Sequence, residues 1–268
     1  MASVSTRAEL ITSIKNPLVR EVRRAALRGT LTEDGHAVAE SFHLLEEALR
    51  SECRVQTVLA AASVRAAVES HVKGLRGIRV VVVPDAVFRE LSSTETTQGV
   101  ITLVRPPVWT LEQLFRSRPM VVVLDGVQDP GNAGAMLRTG EAFGASGAVF
   151  LKGTVGPWHP KTLRASAGSA FRLPIVHAVD TALVKAAFEQ KRLVVYTADP
   201  RGQKNLADTD LTRGFALIVG SEGRGPSARL RNGAIDLRIP ARQVESLNAA
   251  MAGGVILYEA FRQRMLRR

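Results

Sequence analysis

Runs of Val, Ile and Leu recur along this 268-residue chain, and three of them lead directly into segments of small and polar residues. These segments are DPGNAGAMLR at residues 129–138, GSEGRG at 220–225, and the stretch from Ile239-Pro240 to Asn248. A strand should end just before each segment, so a loop is predicted to begin there. Because the loops are spread over nearly half the sequence, a fold has to bring them together. This pattern predicts an α/β enzyme whose site is built from loops.

The chain carries a formal net charge of +11, and this charge is unevenly distributed. Residues 1–105 hold 14 Lys and Arg against 12 Asp and Glu, a net charge of +2, whereas residues 106–268 hold 22 against 13, a net charge of +9. Arg outnumbers Lys, and its guanidinium suits bidentate contacts with phosphate and stacking on bases. A basic surface kept for solubility is the simpler explanation, but the Arg residues near the three motifs favour a polyanionic partner.

Composition also argues against several classes of protein. The longest apolar runs, such as residues 120–124, are too short to cross a bilayer, and the first residues lack a secretory signal, so we expect a cytoplasmic protein. Cys53 is the only cysteine, which excludes an intrachain disulfide and a zinc site built from cysteines. His159 and His177 are not paired at a metal-ligand spacing, so we expect no metal.

The first 105 residues alternate between helical and strand patterns, which is typical of an α/β unit. Residues 11–30 show helical spacing after Pro17, with a basic face formed by Arg20, Arg23, Arg24 and Arg28. Strands are predicted at 55–60, 78–83 and 99–104, helices at 42–51, 64–72 and from Pro84 onward, and a short apolar piece at 37–41.

Pro106 and Pro107 predict a domain boundary, because two prolines stiffen the chain and stop the preceding strand. We therefore expect one domain at residues 1–105 and a second α/β domain at 106–268. In the second domain we predict strands at 120–124, 148–151, 175–176, 193–197, 215–219 and 235–239, and helices at 111–115, 134–143, 161–166, 181–190 and 247–264.

In the first motif, Asn132 lies close to the start of a predicted helix and could simply cap it. Arg138 is harder to explain as a structural residue. It is predicted in the first turns of that helix, where the helix dipole does not favour a cation, so an anion such as a phosphate would account for it better.

The glycines of the second motif allow close approach of a ligand to the backbone. Their spacing matches neither the dinucleotide fingerprint nor a P-loop, which weakens an NAD or ATP hypothesis. Glu222 stands between glycines, where it would cap a helix or meet a cation, and pairing with Arg224 is the structural alternative.

In the third motif, Ser246 is the predicted N-cap of the last helix. This helix begins with unusually small side chains. Gly253 and Gly254 each cost up to about 1 kcal/mol of helix stability relative to Ala, so another segment, a ligand or a second subunit should pack directly on this backbone.

In this order and at this spacing, the three motifs resemble those of the SpoU (TrmH-type) branch of the SPOUT RNA methyltransferases. The resemblance covers residues 119–264, including FGA at 143–145 and residues 161–171. Residues 11–104 resemble the smaller RNA-binding domain often found in front, notably TSIKNP at 12–17 and QGV at 98–100. The sequence AAMA at 249–252 departs from the Val-Ser-Val-Ala-like run usual in the family, which could alter cofactor or subunit packing.

The resemblance implies an α/β fold with a parallel sheet and a C-terminal trefoil knot. It implies a homodimer that binds S-adenosylmethionine and RNA, expected to be ribosomal RNA, and methylates a ribose 2′-hydroxyl. The implied cofactor loops are residues 197–202, residues 219–220, Ile239 and Leu247, with Thr197, Gly202, Val219, Gly220, Ile239 and Leu247 as the named contacts. The implied catalytic residues are Asn132, Arg138, Glu222, Ser246 and Asn248.

The residue types suit this chemistry. Methyl transfer is an in-line displacement, so positioning supplies much of the rate, and the 2′-hydroxyl has to lose its proton as it attacks. Arg138 would hold the adjacent phosphate and stabilise the developing alkoxide, or accept its proton through that phosphate. A transfer RNA substrate and a non-enzymatic RNA-binding protein of the same fold are the alternatives, and an oxidoreductase lacks its fingerprint.

Overall fold

The computed structural model describes residues 8–221 and 223–266, which form two compact units. Unit 1 contains the described residues up to Pro107 together with the segment Trp158–Phe171. Unit 2 contains Val108–Pro157 and the chain from Arg172 onward. The chain leaves unit 1 two residues after the predicted boundary, but a single cut there does not separate the units. The reason is that the segment Trp158–Phe171 packs with the first unit although it follows the predicted boundary in sequence.

Unit 1 is built on a mixed five-stranded sheet in the order β1-β4-β3-β5-β2. Strand β5 is antiparallel to β3 and β2, whereas β1, β4 and β3 are parallel. Side chains alternate between the faces, so Leu59 joins one apolar core and Val58 the other. The strands are β1 (Glu9–Leu10), β2 (Ala37–Glu40), β3 (Arg54–Ala61), β4 (Arg79–Val83) and β5 (Val100–Arg105), and the helices are α1 (Pro17–Arg28), α2 (Phe42–Leu49), α3 (Arg65–His71), α4 (Asp85–Leu91) and, from the second segment, α7 (Pro160–Ser166).

Helix α1 begins and ends at residues whose chemistry explains both positions. The side chain of Asn16 accepts a hydrogen bond from the Leu18 amide, and Pro17 is the first helical residue. Gly29 ends the helix with φ +65°, a left-handed conformation that favours glycine. Val19, Val22, Ala25 and Ala26 are buried, whereas the four Arg side chains of the predicted basic face are exposed, which confirms that prediction.

A buried carboxylate organises the loop before β5. Glu40, at the end of β2, is 4% exposed. Arg164 of α7 lies 4.0 Å from this carboxylate and also donates to the Ser93 hydroxyl at 2.8 Å. Burial opposes the charge of Glu40, but hydrogen bonds outweigh burial and lower its pKa below the ordinary value. The donors to Glu40 are the hydroxyls of Ser92 (2.5 Å), Ser93 (2.8 Å), Thr94 (3.0 Å) and Thr97 (2.9 Å) and the amide of Ser93 (2.8 Å).

Unit 2 is built on a seven-stranded sheet in the order β10-β12-β9-β11-β6-β7-β8, in which all paired neighbours are parallel. Its strands are β6 (Met120–Asp125), β7 (Gly147–Leu151), β8 (Ile175–Val179), β9 (Val194–Ala198), β10 (Lys204–Asn205), β11 (Phe215–Gly220) and β12 (Ile235–Arg238). Its helices are α5 (Leu111–Leu114), α6 (Pro130–Ala142), α8 (Thr181–Gln190), α9 (Ala228–Arg231) and α10 (Ala249–Leu266).

The centre of this sheet has the composition of a parallel sheet covered on both faces. All six residues of β11 are buried, as are five of the six residues of β6. The predicted α/β class and the predicted strands of both units are confirmed. The elements β1, β10 and α9 were not predicted, because two or four residues are too few to show a hydrophobic period.

The small residues of α10 pack against unit 2 itself. A Cβ atom on Gly253 would lie 2.7 Å from the sulfur of Met136 and 3.2 Å from a methyl group of Val219. Helix α10 therefore approaches α6 and β11 closely, which accounts for glycine at this position. The sequence predicted that another chain segment, a ligand or a second subunit packs on these glycines, and the structure shows another segment of the same chain.

None of the helices among residues 8–221 and 223–266 is long and apolar enough to span a membrane.

We predict that Glu40→Gln destabilises the protein by about 1–3 kcal/mol at pH 7, because an amide replaces a buried, charged acceptor. The pKa of Glu40 is lowered in the folded state, so its stabilising effect is complete above the unfolded pKa of about 4.3 and is lost as the pH falls through the folded pKa. Urea unfolding should therefore show a difference between wild type and variant that shrinks in acid.

The matched control is Glu95→Gln, which removes an exposed carboxylate from the same loop. This variant should unfold like the wild type at every pH. Equal stability of Glu40→Gln and Glu95→Gln at pH 7 would contradict the role of the buried carboxylate.

Candidate active site

The three motifs begin at one edge of the unit 2 sheet. Gly220 pairs in register with Asp125, and Val219 pairs with Leu124, so β11 and β6 end side by side. Strand β9 lies on the other side of β11 and pairs in turn with β12. Because all these strands are parallel, the loops that follow them meet at their carboxyl ends, where α/β sheets bind ligands.

A cavity of about 810 Å³ opens at this edge. Four of the predicted cofactor-binding residues line it, namely Val219, Gly220, Ile239 and Leu247. The predicted catalytic residues Ser246 and Asn248 line it as well. The structure thus brings the second and third motifs together around one cavity. The loop after β9 completes the wall with Ala198, Asp199, Pro200 and Arg201.

The other two predicted cofactor-binding residues, Thr197 and Gly202, do not line the cavity. Thr197 is 1% exposed, and its hydroxyl donates to Asp236 on β12. A Cβ atom on Gly202 would lie 2.6 Å from the carbonyl oxygen of Asp236. Both residues therefore support the cavity wall from behind, because their contacts are with β12 rather than with the cavity.

Gly220 is required by the shape of the second motif. The loop folds back on itself through a hydrogen bond from the Gly225 amide to the Ser221 carbonyl, at 2.8 Å. A Cβ atom on Gly220 would lie 2.1 Å from backbone atoms of Gly225 and Pro226, which leaves no space for a side chain. Glu222, a predicted catalytic residue in this loop, lies outside the described residues.

A hydrogen bond joins the first and third motifs. The side-chain amide of Asn248 donates to the side-chain oxygen of Asn132 at 3.1 Å. The oxygen of Asn248 accepts hydrogen bonds from the amides of Ala250 and Met251, at 2.9 and 3.2 Å. Asn248 therefore caps α10, and the prediction that Ser246 caps it is wrong. The helix begins two residues later than predicted, which leaves Ser246 in the loop beside the cavity.

The start of α6 also differs from the prediction. Its N-cap is Asp129, whose carboxylate accepts from the Asn132 amide at 2.7 Å, and Pro130 is the first helical residue. Asn132 is therefore inside the first turn and is not the cap. Arg138 lies in the third turn, beyond the reach of the N-terminal dipole, so the argument that the dipole disfavours it is wrong.

Arg138 is exposed and is not among the residues that line the cavity. Within residues 8–221 and 223–266 it makes none of the hydrogen bonds or ion pairs that the structure shows. Its guanidinium is thus free to meet an anion at the surface of α6. Of the predicted catalytic residues described, Asn132, Ser246 and Asn248 are brought together, and Arg138 is placed elsewhere on the same helix as Asn132.

The rim of the cavity is basic. Arg201, Arg224 and Arg238 are exposed and line it, and none forms an ion pair with another described residue. Arg231 also lines the cavity but pairs with Asp199. The rim therefore carries positive charge that is not neutralised within the described part of unit 2.

The loop at residues 197–202 was expected to contact the cofactor, and its inner residues 198–201 line the cavity although its two end residues do not. Sequence analysis missed Arg231 as a lining residue. Arg231 gave no signal, because it lies on the four-residue helix α9, which the sequence does not reveal.

His159, one of the two histidines considered as possible metal ligands, has a structural contact. The Nδ1 atom of His159 accepts from the Lys161 amide at 3.1 Å and so caps α7. Burial, and to a lesser degree the charges of Lys161 and Arg164, lower the pKa of His159. No group of three or more His, Cys, Asp or Glu that could hold a metal ion occurs among the residues described.

Two family models match the chain. Residues 119–258 match the SpoU rRNA Methylase family, and residues 16–102 match the MRM3-like substrate binding domain. The first match extends to Tyr258 of α10 and contains all three motifs. The second match lies within unit 1.

Individual proteins are similar over nearly the whole chain. An uncharacterised tRNA/rRNA methyltransferase of Synechocystis is 34% identical, covering 95% of this chain and 94% of the relative. The 23S rRNA (guanosine(2553)-2′-O)-methyltransferase RlmP of Bacillus subtilis is 32% identical, covering 92% and 97%. The crystal structure of the SpoU methyltransferase AviRb from Streptomyces viridochromogenes, in complex with the cofactor AdoMet, superimposes with a TM-score of 0.84 at 28% identity, covering 94% of this chain and 99% of that one.

We predict that Asn248→Ala lowers the free energy of unfolding by about 1 kcal/mol, because α10 loses its cap. Asn248→Asp should stay within about 0.5 kcal/mol of wild type, since a carboxylate also accepts from the first amides of a helix. Urea unfolding of the three proteins measures the difference. An Asn248→Asp protein as unstable as Asn248→Ala would show that the cap is not the source of the effect.

Proposed function

Because the chain belongs to the SpoU rRNA methylase family, we propose that it transfers a methyl group from S-adenosylmethionine to a ribose 2′-hydroxyl of ribosomal RNA. The observation that carries this proposal is the cavity at the carboxyl edge of the unit 2 sheet, where the second and third motifs meet. We also propose a cytoplasmic location, where the protein would meet such an RNA.

The cavity fits S-adenosylmethionine in size and in lining. Its volume of about 810 Å³ is within the range of small-molecule sites. Val219, Ile239 and Leu247 offer apolar contacts for an adenine ring, and the bare backbone of Gly220 permits close approach. Ser246 offers a polar group to the rest of the molecule. When bound here, S-adenosylmethionine supplies the electrophilic methyl group.

The asparagine pair would position the reacting ribose. Asn248 is held at the start of α10 by two backbone amides, and it in turn holds the side chain of Asn132. This arrangement fixes two amide groups beside the cavity before substrate arrives, which lowers the entropic cost of alignment. The side chain of Ser246 lines the same wall and would complete the set of polar contacts.

Arg138 would act on the RNA rather than on the cofactor. Its guanidinium is exposed and lies outside the cavity lining, so it is available to a phosphate. Holding the phosphate beside the target ribose would stabilise the developing alkoxide, or would let that phosphate accept the 2′-hydroxyl proton. Direct proton acceptance by the guanidinium is disfavoured, because its pKa is above about 12.

Charge and domain organisation support an RNA substrate. The basic rim formed by Arg201, Arg224 and Arg238 surrounds the cavity, and residues 106–268 carry most of the net charge. The match of residues 16–102 to a substrate-binding domain supports RNA contacts by unit 1, for which the exposed arginines of α1 are candidates. The 2′-hydroxyl as acceptor requires RNA rather than DNA.

We also propose a homodimer and a trefoil knot. Exposed apolar residues recur along one side of α10, at Met251, Val255, Tyr258 and Met265. A second copy of the chain would cover them. The match of residues 119–258 to the SpoU rRNA Methylase family supports the knot.

We predict that Arg138→Ala lowers methyl transfer to ribosomal RNA by about 100-fold or more, as removal of one stabilising donor typically does. Affinity for S-adenosylmethionine should be unchanged, because Arg138 does not line the cavity. Transfer of radiolabelled methyl groups to RNA and calorimetry measure the two quantities. The control is Arg229→Ala, which removes an exposed Arg of α9 and should keep full activity. Full methyl transfer by Arg138→Ala would overturn the catalytic assignment.

We predict that the double variant Met251→Glu, Val255→Glu sediments as a monomer, because charges replace apolar side chains that a partner would cover. Both side chains are exposed in the single chain, so folding should be retained. Leu183→Glu, which changes an exposed leucine of α8, is the matched control and should sediment like the wild type. A double variant that sediments like the wild type would refute this interface.

A further inference from the structure

One guanidinium at the cavity joins three separate segments of unit 2. Arg231, at the end of α9, donates to Asp199 in the loop after β9. It also donates to Asp236 of β12, from Nη2 at 2.8 Å and from Nε at 3.3 Å. The side chains of Asp199 and Asp236 are 11% and 28% exposed, so the bridge is partly shielded from water.

Every carboxylate oxygen in this cluster has a donor. The second oxygen of Asp199 accepts from the Arg201 amide at 2.8 Å, and the second oxygen of Asp236 accepts from the Thr197 hydroxyl. Such a network is more directional than an isolated surface ion pair, and an isolated pair contributes little to the free energy of unfolding. Hydrogen bonding to Asp236 raises the pKa of Arg231, and the pKa of Asp236 is lowered because bonds from Thr197 and Arg231 outweigh burial.

The bridge is connected to the cavity wall by the backbone. The Asp199 amide donates to the Leu237 carbonyl at 3.0 Å, and the Gly202 amide donates to the Asp199 carbonyl at 2.9 Å. Residues 198–201 line the cavity, and so does Arg231. The position of this wall therefore depends on Asp199, whose carboxylate is held by one guanidinium and one backbone amide.

Helix α9 is itself firmly placed. Leu230, next to Arg231, is 4% exposed and belongs to the core of unit 2. The Arg231 amide donates to the Ser227 carbonyl, and the Ser227 amide donates to the Asp125 carboxylate at 2.7 Å. Arg231 thus extends from a rigid base to the carboxylate of Asp199 in the loop after β9.

We propose that Arg231 is a positioning residue for the cofactor, which holds the loop at residues 199–202 in the shape that S-adenosylmethionine requires. This inference rests on the proposed function, since it concerns the same cavity. Without the guanidinium, the carboxylates of Asp199 and Asp236 are left close together and unneutralised, and their repulsion moves the loop away from β12.

The first experiment measures S-adenosylmethionine binding by calorimetry with the full chain. Arg231→Gln should bind about tenfold more weakly than wild type, a typical size for coupling within such a network. Arg229→Gln, on the same helix but outside the cavity lining, should bind like wild type. The double variant Asp199→Asn, Arg231→Gln should recover part of the loss, because the repulsion is removed while the oxygen that accepts from Arg201 remains.

Kinetics distinguish positioning from loss of structure. Arg231→Gln should raise KM for S-adenosylmethionine about tenfold, with kcat, KM for RNA and melting temperature close to wild type. Arg231→Lys should restore part of the affinity. Wild-type affinity in Arg231→Gln, or a loss of affinity that appears only together with a lowered melting temperature, would overturn the positioning role.

Hydrogen exchange tests the loop without any cofactor. The amides of Arg201 and Gly202 should exchange faster in Arg231→Gln than in Arg229→Gln, because both donate to Asp199. Unchanged exchange would overturn this inference even if the wild type binds S-adenosylmethionine. A wild type that fails to bind S-adenosylmethionine would instead overturn the proposed function, and the cofactor role of Arg231 with it.

Discussion

The close passage of one backbone segment against another at the carboxyl edge of the unit 2 sheet is the constraint on which the site depends. Gly220 faces backbone atoms of Gly225 and Pro226 at a distance that excludes any side chain, and Gly202 meets β12 in the same way. The first contact folds the loop after β11 back on itself, and the second holds the loop after β9 against β12. The cavity is the space that remains between them.

The residues around this cavity divide into two groups with different tasks. Val219, Ile239 and Leu247 supply an apolar lining, whereas Asn132 and Asn248 form a polar pair where α6 and α10 begin. Asn248 connects the groups, because it lines the cavity, caps α10 and donates to Asn132. In the function that we propose, the apolar lining holds the cofactor, the asparagine pair orients the ribose, and one helix terminus positions both groups.

Unit 1 illustrates how a sequence boundary and a compact unit can differ. The chain leaves this unit at Pro107 and returns to it at Trp158 to contribute α7. The second passage is held in part by Arg164, which lies beside the buried carboxylate of Glu40. A region that matches a methylase family model therefore completes the packing of the unit that matches a substrate-binding model.

The sequence by itself determined most of the order of helices and strands, because apolar runs such as β6 and β11 are typical of buried strands and because α1 carries its own cap, proline and terminal glycine. It also indicated a shared site, since six predicted site residues from the motifs that follow β11 and β12 line one cavity. Its errors are local choices between neighbouring candidates. Asp129 and Asn132 are both good caps, and so are Ser246 and Asn248.

Only the structure decided between these candidates. The capping bonds themselves are local, but other contacts that fix the site side chains join residues far apart in sequence. Asn248 is fixed by Asn132, 116 positions away, and the carboxylate of Asp199 is fixed by Arg231, 32 positions away. Thr197, near the end of β9, shows the same dependence. Its hydroxyl donates to Asp236 of β12, and Thr197 does not line the cavity. Local periodicity carries no information about such distant partners, so a sequence predicts the elements and the motifs, whereas packing assigns each side chain its contact.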